Sequence, residues 1–120
     1  MKNKVTQNFG DRLMYIGGEF VSSQSGQWMD SVNPATEEVH GRVPAATAED
    51  VDRAVKAAKA AQPDWAALHV FERGRLLREL AAAMHTRGDD VLPLEAADTG
   101  NTIASLGGDI VLGAGYINFI

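Results

Sequence analysis

Hydrophobic and polar positions follow two different periods along this chain, and the change falls near Thr47. Before it the apolar residues come in short β-prone runs. Met14-Tyr15-Ile16 and Glu19-Phe20-Val21 flank Gly17-Gly18, the composition of a two-residue hairpin turn in which both central residues take positive φ. After a linker from Ser22 to Gly26, Gln27 to Val32 predicts a further strand. Asn33-Pro34 stops it, because proline offers no N–H and restricts the residue before it. Val39 to Val43 predicts the returning strand, so the first forty-odd residues read as two hairpins. Residues 1 to 12 are polar and unpatterned and read as a flexible tail, with structure beginning at Leu13.

From Thr47 the period becomes helical. Thr47 and Asp50 resemble a capping box, and Val51, Ala54, Val55, Ala58 and Ala61 then share one stripe. Glu49 with Arg53 and Asp52 with Lys56 are i,i+4 pairs on the other face. Pro63 predicts the end of this helix. A second helix is predicted from Val70 to Arg87, burying Leu76, Leu77, Leu80, Ala83 and Met84, with Gly88 as its left-handed cap. The third is short, capped by Asp89 or Asp90, with Pro93 in its first turn and Gly100 after its end. Ile103 to Ile120 is apolar on every face. Ile110, Gly113, Ala114 and Ile117 recur at helical spacing, which predicts a helix over 109–119. The chain stops on apolar residues without a cap or polar tail, so a cut inside a buried element is expected.

Composition narrows the function classes. A chain of 120 residues with 45% apolar content suits one domain, and the charge of -5 comes from interspersed acids and bases. No basic face for nucleic acid or anionic lipid is expected. There is no cysteine, hence no disulfide, thiolate metal site or thiol nucleophile. The first ten residues lack the apolar run of a secretory signal, and no stretch approaches the roughly 18 apolar residues of a membrane span. A cytoplasmic setting is the expectation.

Candidate chemistry is sparse. Asp109 to Asn118, read as a strand entering Gly113-Ala114-Gly115, mimics the start of a dinucleotide fingerprint, but Asn118 occupies the third glycine position. The competing reading is a buried helix whose glycines allow close packing. His40, His69 and His85 have no second ligand at metal-site or catalytic spacing and read as exposed or capping residues. Ser22, Ser23 and Ser25 read as a flexible turn, Glu49, Asp50, Asp52 and Glu95 as first-turn or solvated acids, and Arg73, Arg75 and Arg78 as a wet helix face. Asp98 stands out: it falls in the last turn of the third helix, where the helix dipole disfavours a carboxylate unless something positive compensates or the following backbone donates to it.

YIGGEFV, SVNPATEEV, TAEDVDRAVKAAKAA, ERGRLLRELA and EAADTGN occur here in an order and spacing that resemble the amino-terminal part of aldehyde dehydrogenases. The resemblance covers Met14 to Ile120. It implies an α/β parent fold comprising a Rossmann-like cofactor domain, a catalytic domain and a β-rich oligomerisation element. This segment would be α+β, two β-hairpins followed by about four helices, as the leading part of the cofactor domain over 13–120. The implied reaction oxidises an aldehyde to a carboxylic acid with NAD or NADP, through a cysteine thiohemiacetal and a glutamate that activates water. Those residues would lie beyond Ile120, so no catalytic or cofactor-binding residue is assigned here. A complete homodimer or homotetramer is implied, and the 120-residue segment alone is expected to be inactive.

In relatives an aspartate at this motif joins backbone carbonyls before Asn-Pro in holding a structural monovalent or divalent cation. The matching ligands here are Asp98 with the carbonyls of Val32 and Ser31, an all-oxygen set that suits a hard cation. The last helix of the segment borders the aldehyde entrance in relatives, which directs attention to Leu112 and Tyr116. Three departures affect local geometry: Glu37 where glycine is common, Asn101-Thr102 where Lys-Pro is common, and the glycine-rich final segment. Two alternatives stand beside this reading: a small independent α+β interaction protein, and a nucleotide-binding fragment using Gly113 and Gly115.

Overall fold

A computed structural model describes residues 8 to 119. The chain forms two compact units that divide between Ala66 and Ala67. The first contains β1 (Gly10–Asp11), β2 (Met14–Ile16), β3 (Glu19–Val21), β4 (Trp28–Val32), β5 (Val39–Pro44) and all but the last residue of α1 (Ala48–Ala67). The second contains α2 (Val70–Thr86), α3 (Gly88–Thr99) and α4 (Ile103–Phe119). The α+β content and both expected hairpins are observed.

Strands β2 and β3 pair antiparallel about Gly17 and Gly18, whose φ values of 64° and 88° lie in the left-handed region that only glycine enters without strain. Tyr15 and Phe20 face each other across this hairpin, ring centroids 5.1 Å apart. The other sheet has the order β1-β5-β4, with β4 antiparallel and β1 parallel to β5.

Strand β1 corrects part of the expected tail. Residues 1 to 7 lie outside the described residues, but Gly10 and Asp11 pair with Gly41 and Arg42, and the Phe9 N–H donates to the His40 carbonyl at 2.7 Å. The pairing is tertiary, so no local periodicity announces it. Gly41 is required there: a Cβ at that position would stand 2.7 Å from the Gly10 carbonyl oxygen.

Helix α1 opens with the expected reciprocal cap. The Asp50 N–H donates to Thr47 Oγ1 at 3.2 Å, and the Thr47 N–H donates to Asp50 Oδ2 at 3.0 Å. Its end differs from expectation, because the helix continues through Pro63 to Ala67. Proline removes one i→i−4 bond, here to the carbonyl of Lys59, a residue exposed to water that can take the missing donor's place. The expected Asp52–Lys56 pair forms at 2.6 Å, but Arg53 turns to Asp50 rather than Glu49. The apolar stripe is largely open: Val51, Val55, Ala58 and Ala61 are exposed, and Asp50 is the helix's sole buried residue.

In the second unit α4 packs chiefly on α2 and also on α3. Its buried residues are small or aliphatic: Ala81, Gly88, Leu106 and Ala114. Of the expected buried face of α2, Leu76, Leu77 and Met84 are half-buried, whereas Leu80 and Ala83 are exposed and Ala81, outside the expected set, is fully enclosed. Gly88 is not a left-handed cap. Arg87 joins α2 to α3 at φ -105°, and Gly88 begins α3, packed near Ile110. Neither Asp89 nor Asp90 caps α3. Arg87 is its N-cap residue, with no side-chain cap bond, and Pro93 lies deeper than the first turn. Gly100 does close α3, at φ 72°, its N–H donating to the Ala96 carbonyl at 3.0 Å.

Candidate functional site

The most concentrated polar geometry surrounds Asp50, which is 1% exposed. Its Oδ2 accepts from the Thr47 N–H, Thr47 Oγ1 (3.2 Å), Ser23 Oγ (2.7 Å) and the Gln24 N–H (3.2 Å). Its Oδ1 accepts from Arg53 Nη2 at 3.2 Å. The Thr47 N–H and then the Ser23 hydroxyl are the main causes that hold the Asp50 carboxyl down at about 2. Ser23 Oγ also lies 2.7 Å from the Ala45 carbonyl. Its single proton serves one acceptor at a time, and Ser25 Oγ, 3.2 Å from the same carbonyl, provides a second donor. The expected flexible serine turn is therefore a bonded loop, and Asp50, a first-turn acid as expected but not a solvated one, is its centre. The cap motif was visible in the sequence; the burial arises from Ser23 and Gln24, 27 and 26 residues away.

His40 also departs from the exposed or capping reading. The ladder between β4 and β5 shifts at Ser31/Val32, where Ser31 faces Gly41 but Val32 faces Val39, leaving His40 as the extra residue. Its ring is buried, edge-on to Phe9 at 5.8 Å, with Nε2 3.0 Å from Ser31 Oγ. His69 does cap α2, accepting from the Phe71 N–H at 3.4 Å.

The three residues of the expected cation set are shared between the two units. Ser31 and Val32 occupy the irregular end of β4 in the first unit, just before the Asn33–Glu38 turn. Asp98 lies exposed in the last turn of α3 in the second. Among the described residues no three His, Asp or Glu side chains gather in a metal-binding group. The Asn33–Glu38 turn is tightly bonded: the Glu37 N–H donates to the Asn33 carbonyl at 2.7 Å, and Asn33 Oδ1 accepts from the Ala35 N–H at 2.9 Å. Glu37, the residue standing where glycine is common, adopts φ 62°.

Helix α4 removes the dinucleotide alternative. Gly113, Ala114 and Gly115 lie inside a continuous helix over Ile103–Phe119, with Gly113 against Met84 and Ala114 buried, so no strand-to-turn loop exists to cradle a pyrophosphate. The opposite face of α4 presents Val111, Leu112, Gly115, Tyr116 and Phe119 around an open apolar concavity of about 420 Å³. No helix among the described residues is long and apolar enough to cross a membrane.

Comparison with known proteins accounts for this assembly of elements. The family model described as the aldehyde dehydrogenase family matches residues 20–120. Among solved structures, the chain is similar to lactaldehyde dehydrogenase from Escherichia coli, with 36% identity and TM-score 0.87 over 92% of this chain and 23% of that one. It is also similar to NAD-dependent aldehyde dehydrogenase from Sinorhizobium meliloti, with 29% identity and TM-score 0.90 over 98% and 24%. PnpE in complex with nicotinamide adenine dinucleotide shares 38% identity and TM-score 0.86 over 90% and 22%. The chain thus spans about a quarter of the length of these proteins. With its two hairpins and four helices matched in order to their amino-terminal regions, the chain belongs to the aldehyde dehydrogenase family.

Proposed function

We propose that this chain is the amino-terminal part of an NAD- or NADP-dependent aldehyde dehydrogenase that converts an aldehyde to its carboxylic acid. The family match over residues 20–120 carries this reading. Bound nicotinamide cofactor would supply the hydride acceptor. Among the described residues, the candidate phosphate loop at Gly113 and Gly115 does not fit it, because both glycines are helical. With no cysteine in its 120 residues, the chain also has no thiol to attack the aldehyde. Its contribution in this reading is scaffold and access. The two hairpins and helices frame the cofactor domain, and Leu112 and Tyr116 on the open face of α4 shape the aldehyde entrance.

The same reading includes a structural cation held by Asp98 with the carbonyls of Ser31 and Val32, a homodimeric or homotetrameric complete protein, and a cytoplasmic location. The all-oxygen donor set supports a hard cation. If the ion is bound, Asp98→Ala lowers the melting temperature of the complete protein and abolishes its salt-specific stabilisation.

The deciding experiment assays the complete gene product and the isolated 120-residue chain for aldehyde-dependent reduction of NAD or NADP at 340 nm. Turnover by the complete protein and none by the isolated chain is the expected result. Turnover by the isolated chain, or none by the complete protein across short aliphatic, hydroxylated and aromatic aldehydes with either cofactor, contradicts the proposal.

A further inference from the structure

We propose that Asp50 is a charge-dependent clamp that fastens the 22–27 loop to the start of α1, so that loop and helix entrance open as one unit. This inference is independent of the catalytic reading. Helix α1 buries no apolar side chain, and Asp50 is its only buried residue. The usual anchor of an amphipathic helix, an enclosed apolar stripe, is therefore absent within this unit. In its place, five donors from three stretches of chain meet one carboxylate: the Ser23 hydroxyl and Gln24 N–H from the loop, the N–H and hydroxyl of Thr47 from the helix entrance, and Arg53 from the helix itself.

The loop is bonded onward from this point. The Gln27 N–H donates to Ser25 Oγ at 3.1 Å, and the Ala45 N–H donates to the Gln27 carbonyl at 2.8 Å. Loss of the Asp50 acceptor would release contacts on both sides at once. Charge is essential because every surrounding group donates. A carboxylate has two accepting oxygens, whereas the amide of Asn presents one and turns an NH2 group toward other donors.

Backbone amide exchange of the complete protein tests the clamp. Asp50→Asn is expected to lower protection over 22–27 and 47–51 by at least about tenfold, the scale of lost charge-assisted hydrogen bonds, while 70–86 stays unchanged. Asp50→Ala is expected to match it. Wild-type protection in Asp50→Asn with loosening only in Asp50→Ala would show that shape rather than charge matters and overturn the proposal. An equal loss throughout 70–86 would also overturn it, since the effect would then not be confined to the clamp. Should both variants fail to fold, Ser23→Ala is expected to lower protection at Gln24 and Ser25 by about threefold, and unchanged protection there would overturn the proposal.

Discussion

The two units of this chain differ in what each encloses. In the first, three of the buried residues are polar, Ser23, His40 and Asp50, and the fourth among the described residues is Pro44 at the end of β5. In the second the buried side chains are Ala81, Leu106 and Ala114, small or aliphatic residues of α2 and α4. Directional bonds fix a loop, a bulge and a helix entrance where little apolar area is enclosed. Close packing fixes three helices where few polar groups are. The first kind of junction depends on donor and acceptor identity, the second on volume.

Substitutions on either side of this contrast should separate in size and place. Leu106→Ala is expected to have the largest effect, about 3 kcal/mol of destabilisation from lost burial and a residual cavity. It should appear as loss of amide protection over α2, α3 and α4 on the order of 100-fold, with the β-strands spared. Loss confined to α4 would mean that the three helices do not share one core. Ordinary protection in all three would mean that Leu106 contributes little.

A smaller effect of opposite sign is expected at Glu37. Its φ of 62° places a β-carbon in the left-handed region, which glycine occupies without steric cost. Glu37→Gly should stabilise the Asn33–Glu38 turn by about 1 kcal/mol at most, read as a raised melting temperature. A lowered melting temperature would show that the side chain, not the backbone, governs the turn. The smallest change is expected at Arg42, whose bidentate bond to Asp11 (2.9 and 2.7 Å) and stacking over Trp28 lie on the surface. Arg42→Ala should leave melting close to wild type, because exposed ion pairs are screened by solvent. A large drop would make β1 a principal support of the sheet.

What the sequence disclosed follows the same division. Local signals were readable: Gly17-Gly18 between two β-prone runs, the Thr47/Asp50 cap, Gly100 after α3, and the helical spacing of Ile110, Gly113, Ala114 and Ile117. Tertiary choices were not. Nothing in Gly10-Asp11 reveals its pairing with β5, and nothing near Asp50 reveals that Ser23 and Gln24 will cover it. Pro63 shows the converse, a strong local stop that the helix passes through. The Arg87–Gly88 junction was misread for a related reason: two helices meeting without a left-handed residue leave no glycine requirement to recognise. For the expected cation, the residues Ser31, Val32 and Asp98 are legible as a motif, whereas ligation by backbone carbonyls depends on geometry that side-chain identity does not encode.

Acid separates the two units most directly. The Asp50 carboxyl has its folded value lowered to about 2 from 3.8, so its stabilising contribution is complete above 3.8 and is lost as pH falls toward 2. The test is amide exchange of the complete protein between neutral pH and about pH 2, corrected for intrinsic rates. Protection over 22–27 and 47–51 should fall through that acid window before protection over the α2–α4 helices falls, and Asp50→Asn should show low protection in the former segments already at neutral pH. Simultaneous loss in both units, or loop protection in wild type that stays unchanged down to about pH 2, would contradict the account.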